Sequence, residues 1–147
     1  MAVLLEVLVR YAHFLGILLL AGTLAIELML FKRELDRDQI QRLARIDGVY
    51  GFAAVLTLAA GLSLWWLVGK PAEYYTRNGI FHLKLTLFVI MGLLSIRPTL
   101  FLLKHRRHDS AHCEVPKSMR MTKHVEMLLL ILIPLLAALM ARGFGSA

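Results

Sequence analysis

Apolar residues run along this chain in four long blocks, about Tyr11 to Phe31, Gly48 to Val68, Gly79 to Leu103 and Thr122 to Ala141, separated by short polar stretches. Each block holds roughly the 20 residues a helix needs to cross the hydrocarbon of a bilayer. The first extends backwards through Ala2 to Val9, is too long for the apolar stretch of a signal peptide and has no basic segment ahead of it, which predicts a retained helix. The expected helices cover about residues 3–31, 48–69, 79–103 and 122–142, within one transmembrane domain over 1–147. Four spans with short connections predict an all-α integral membrane protein, an up-down-up-down four-helix bundle. Pro98 and Pro134 fall inside the third and fourth helices, where each frees a backbone carbonyl and predicts a kink.

The connections differ in charge. Residues 32–47 carry five basic side chains (Lys32, Arg33, Arg37, Arg42, Arg45) and residues 104–123 carry six (Lys104, Arg106, Arg107, Lys117, Arg120, Lys123), whereas 70–78 carry two, Lys70 and Arg77. Basic residues concentrate in cytoplasmic loops, so the first and third connections (32–47 and 104–121) are expected in the cytoplasm. Both termini and the second connection then face the periplasm or the exterior across the inner (cytoplasmic) membrane. Trp65, Trp66, Tyr74 and Tyr75 form an interfacial aromatic belt on that side. The net charge of +7 is explained by this placement, and nucleic acid is not an expected partner. A hydrophobic content of 59% and a mean hydropathy of +0.67 exceed what a soluble core requires.

The first connection mixes charges of both signs with Leu35, Ile40, Leu43 and Ile46 at helical spacing, and is expected to extend helix 1 or to lie on the membrane surface. The third has no periodicity and contains Pro116, so an irregular, mobile loop is expected. Its run of His105, His108, His112 and Cys113 offers metal-ligand types, but the spacing matches no closed tetrahedral site and an ordinary basic loop is expected. Gly16, Gly22, Gly48, Gly51, Gly61 and Gly92 are expected to let helices approach closely.

Ionisable residues at membrane depth are costly, and each marks a candidate site. They are Arg10, His13 and Glu27 on helix 1, with Glu6 just before the span; His82, Lys84 and Arg97 on helix 3; and His124 and Glu126 on helix 4. Helix 2 shows none. Glu6, Arg10, His13 and Glu27 fall in a stripe about 100° wide that should face the bundle interior. Counting from Phe31 and Leu103, His13 and His82 lie about 27 and 31 Å above the same end, at about 1.5 Å per residue. Two histidines at similar depth on facing helices suit haem iron. Near the other end, Glu27, Arg97, His124 and Glu126 share one depth. Glu27 and Arg97 are a possible neutralised pair, with snorkelling to headgroups the plainer explanation for Arg97 and His124. His82 and Lys84 stand about 200° apart around their helix, so only one of them points at any one site.

Three segments carry a resemblance. RYAHFLGILLLAGTLAIELMLFK is similar to the first helix of the HemJ-type protoporphyrinogen oxidases, FHLKLTLFVIMGLLS looks like their helix with a WLHxKL motif, and TKHVEMLLLILIPLLAALM looks like their last helix. The resemblance makes His13 the haem ligand, His82 the histidine of the HxK pair, Lys84 a functionally required lysine and Glu126 the carboxylate of the last helix. A tryptophan of the family's first helix is absent, its nearby arginine corresponds roughly to Glu27, Phe81 replaces another tryptophan, and the residues around Glu126 differ. The resemblance therefore implies a sister family, sharing fold and haem b binding before any oxidase activity.

Three kinds of function fit these residues. One is a redox-active haem protein, with His13 and His82 as metal ligands, and Arg10 or Lys84 meeting haem or substrate propionates. The activity would be electron transfer or porphyrinogen oxidation, with catalytic roles for Lys84 and Glu126. Another is a small transporter or metal- or proton-handling protein built on Glu27, Glu126 and the histidines. The last is a structural subunit of a larger membrane complex, its polar residues serving as interhelical glue. Expected partners are the lipid bilayer and, within it, a second copy of the chain as homodimer or a redox partner protein.

Overall fold

The computed structural model describes residues 1–107 and 112–146. Its elements run α1 (Ala2–Leu30), β1 (Glu34–Asp36), α2 (Arg37–Ser63) continuing through a π-helical turn (Leu64–Val68), α3 (Ala72–Thr76), α4 (Gly79–His105), β2 (His112–Glu114) and α5 (Lys117–Ala141). α1, α2 with its π turn, α4 and α5 are each long and apolar enough to cross a membrane. α1 packs along α2 and α4 along α5; the two hairpins then meet through α2 against α4 and α1 against α5. This is the expected four-helix bundle. The apolar stretches are at most 28% buried, and side chains such as Leu18, Met29, Val55, Leu93 and Ile131 point outwards. An outer surface this apolar is matched to lipid rather than water.

Helix α2 starts about ten residues earlier than the apolar pattern predicts, and the first connection extends α2 rather than α1. Asp36 accepts a hydrogen bond from the Gln39 backbone at 2.8 Å while the Gln39 side chain accepts from the Asp36 backbone at 2.9 Å, a capping box that fixes the helix start. Ile40 and Leu43 are thereby turned inwards. In the third connection the expected irregular loop is corrected at residues 112–114: β2 pairs antiparallel with β1, Leu35 opposite Cys113. His108 lies outside the described residues. α5 begins at Lys117, a turn before the apolar block, and α4 and α5 run through Pro98 and Pro134.

Close helix approach is confined to part of the glycine set. A Cβ on Gly16 would fall 2.5 Å from Thr57 Oγ1, and one on Gly61 would fall 3.2 Å from the His13 ring, so these two bring α1 and α2 together. Gly22, Gly48, Gly51 and Gly92 have open space where a side chain would go and do not serve that role. At the far end of the bundle the aromatic belt is packed: Trp65 and Trp66 stack at 4.3 Å, Trp65 meets Phe81 edge-on, and Tyr75 meets Phe81.

Candidate functional site

Near the end of the bundle that carries β1 and β2, all four spanning helices contribute polar groups to one buried cluster. Lys123 on α5 is fully buried and its Nζ lies 2.7 Å from Glu27 Oε2 on α1, 3.4 Å from Asp47 Oδ1 on α2 and 3.5 Å from Glu126 Oε2 one turn along α5. Its ammonium also sits 4.7 Å from the centre of the Tyr50 ring. Tyr50 donates to Glu126 Oε1 at 2.9 Å, and Thr99 on α4 donates to Asp47 Oδ2 at 2.6 Å. Glu27 and Glu126 have no exposed surface and Asp47 only 4%, so bulk water is not there to compensate these charges.

The local sequence explains the convergence. Asp47 and Tyr50 are three apart on α2, as are Lys123 and Glu126 on α5, so each pair projects from one face of its helix. Apolar layers seal both sides. Leu20, Leu24, Ala53, Met91 and Leu130, with the Tyr50 ring, lie towards the bundle centre; Phe31, Leu35, Ile40, Leu43, Leu102 and Val115 close the end next to the strands.

The charges do not balance. Three carboxylates face one ammonium, leaving two negative charges uncompensated if every group is ionised. Asp47 and Glu126 each receive a hydroxyl hydrogen bond. Glu27 receives no hydroxyl hydrogen bond, and its Oε1, like Glu126 Oε2, has no hydrogen-bond partner among the described residues. The Glu27 carboxyl also faces that of Asp47. Two carboxyl groups form a hydrogen bond only when one carries a proton. No group of three His, Cys, Asp or Glu is arranged to hold a metal ion among the described residues, and the Lys123 ammonium stands between the acids where a cation would sit.

Of the residues singled out from sequence, Glu27 and Glu126 meet here. Arg97 and His124 do not: both are exposed, and the partner of Glu27 is Lys123 rather than Arg97. Lys123 and Asp47 were missed because they stand at the edges of the apolar blocks and count there as loop charge. The expectation that helix 2 holds no buried ionisable group is corrected by Asp47. The i, i+3 pairs Asp47/Tyr50 and Lys123/Glu126 were the available signal.

The other candidates lie towards the opposite end. His13 is half-buried and its Nδ1 bonds the Thr57 carbonyl on α2 at 2.9 Å. A carbonyl only accepts, so in the neutral ring Nδ1 carries the proton and Nε2 the lone pair. His82 is exposed, and its Nε2 bonds the Thr76 carbonyl at 2.7 Å. α1 and α4 are not the helices that pack along one another, and no hydrogen bond or ring contact joins the two histidines among the described residues. The structure thus places the two histidines on separate backbone carbonyl partners, Thr57 and Thr76. Lys84 is half-buried, adds its charge to that of Arg10 around His13, and so is the member of the His82/Lys84 pair that turns inwards. Arg10 is bound to Glu6 at 2.8 Å. In the third connection His105 bonds the Phe101 carbonyl at 2.8 Å, His112 is in β2, and burial beside Glu114 pushes the Cys113 thiol up from its ordinary value.

A lipid-faced bundle enclosing an ionic cluster defines a polytopic α-helical membrane protein with a sealed polar centre. Within that class, the chain belongs to the family described as predicted membrane protein (DUF2214), whose model matches residues 5–145. This membership carries the membrane assignment and nothing finer. No curated protein and no solved structure matches the chain.

Removing the cation tests the cluster's energetics. Lys123→Met is expected to lower the unfolding free energy by about 3–5 kcal/mol, because it strands buried carboxylates. Glu27→Gln placed in the same chain should recover part of that loss. Thermal or denaturant unfolding in detergent checks both, with Glu27→Gln alone completing the cycle, and losses that simply add in the double variant would mean the two groups are not coupled.

Proposed function

We propose that this is a proton-handling membrane protein whose working part is the Glu27, Asp47, Lys123 and Glu126 cluster. The observation that carries it is the surplus of buried carboxyl groups over cations, together with the Glu27 oxygen that lacks a partner. Tyr50 and Thr99 each give a hydroxyl hydrogen bond, to Glu126 and Asp47 respectively, whereas Glu27 receives none from a hydroxyl and keeps an unbonded oxygen, and it is the group to which we assign the exchanged proton. Lys123 supplies the fixed positive charge against which the proton is exchanged. Intramembrane acids in excess of their cations are a common feature of proton pathways. The basic connections 32–47 and 104–121 support an inner-membrane orientation with the cluster's end towards the cytoplasm and both termini outside.

A second reading rests on His13. A histidine whose Nδ1–H is fixed by a carbonyl and whose Nε2 lone pair remains is the arrangement found at metal-bound imidazoles. His13 would then be the protein's haem ligand, with Lys84 nearby for a propionate, and the bound haem would supply one-electron chemistry. His82 takes no part in it.

Three measurements test these assignments. A pH-jump infrared difference spectrum of the purified protein should show a carboxylic acid C=O band that Glu27→Gln removes; an identical spectrum in the variant sinks the proton reading and leaves the cluster as interhelical glue. Alkaline phosphatase fused behind the last residue should be active in cells, and an inactive fusion reverses the orientation. Protein from haem-supplemented cells should show a Soret band lost in His13→Ala but kept in His82→Ala if the second reading holds, whereas colourless wild-type protein removes it.

A further inference from the structure

Arg97 is exposed on α4, eight residues before the helix ends at His105, which is about 12 Å of helix. It makes no ion pair with any carboxylate among the described residues, and neither does Lys104. A guanidinium that far inside a span requires an anion or a path to the headgroups. Beside it lies a pocket of about 290 Å³ between α4 and α5, lined by Arg97, Leu100, Phe101, Lys104, His105 and Met119. Arg97 and Lys104 are two helical turns apart, on the same side of α4 and about 10 Å from one another along it. Leu100, Phe101 and Met119 give the groove its apolar wall.

This combination has the chemistry of a phospholipid: phosphate oxygens accept from a guanidinium and an ammonium, and the first part of an acyl chain covers apolar side chains. No carboxylate lines the groove to receive the ammonium of a zwitterionic headgroup. The surrounding surface is also basic, since a second pocket on the α2 side of the same end is lined by Arg45, Arg106 and Arg107.

We propose that the groove between α4 and α5 is a binding site for an anionic phospholipid, with Arg97 and Lys104 on the headgroup phosphate and Leu100, Phe101 and Met119 against the glycerol and the ester-linked start of the acyl chains. The site faces the bilayer and is separate from the buried cluster, so it stands whether or not that cluster exchanges protons.

The test is lipid titration of the full chain in a neutral detergent, read by native mass spectrometry and by the thermal unfolding midpoint. Phosphatidylglycerol should bind about tenfold more tightly than phosphatidylcholine, as expected of two cations at a headgroup. Arg97→Gln should remove most of this preference and Arg97→Lys should keep much of it. Lys104→Gln, at the exposed helix end, tests the same groove without altering the span and should weaken the preference, while Arg142→Gln at the other end of the bundle should not. Equal binding of the two lipids, an undiminished preference in both Arg97→Gln and Lys104→Gln, or an equal midpoint shift from inorganic phosphate alone would overturn the proposal.

Discussion

The contact between Lys123 and the carboxyl groups of Glu27, Asp47 and Glu126 decides how the four helices can be arranged. In lipid there is little hydrophobic drive to press one apolar helix against another, so what remains is packing and polar complementarity. Here one side chain of α5 must reach α1 and α2 together while Thr99 of α4 closes on Asp47. Rotating α1, α2 or α5 by a fraction of a turn would expose an ion to hydrocarbon, and rotating α4 would break the Thr99 hydrogen bond. The close approach at Gly16 and Gly61 sets the spacing of α1 and α2; the cluster sets the rotation of every spanning helix.

The bundle's two ends divide the labour. At one end charge is sealed between two apolar layers and tied down by the short β1–β2 ladder. At the other, aromatic rings and single hydrogen bonds from histidines to backbone carbonyls replace ion pairs, and Arg10 and Glu6 satisfy each other on a partly exposed face. The layer of Leu20, Leu24, Ala53, Met91 and Leu130 stands between the ionic cluster and His13, so the two polar regions are spatially separate sites rather than one continuous seam along α1.

How much of this was legible in the sequence follows from what periodicity and hydropathy encode. The four spans were plain because each block of apolar residues must be as long as the bilayer is thick. Glu27 and Glu126 stood out because they interrupt those blocks. Lys123 and Asp47 did not, since a charge at the edge of an apolar block reads as a loop charge until the helix is known to continue past it. The partner choice was beyond reach for another reason: residues at one depth on four helices can pair in several ways, and helix rotation, which selects Lys123 over Arg97 for Glu27, depends on contacts that no single helix specifies. The β1–β2 ladder joins two segments of three residues some 80 positions apart, too short to carry a pattern of their own.

The division of the ionic cluster between the hairpins bears on how the chain is made. Glu27 and Asp47 belong to α1 and α2, and their cation belongs to α5, which is synthesised later. Until α5 is inserted, the first hairpin holds two acids in or beside the membrane without their counter-charge, an unfavourable arrangement. Docking of α5 removes that exposure in one step. The cluster therefore exists only once α5 has taken its place beside the first hairpin.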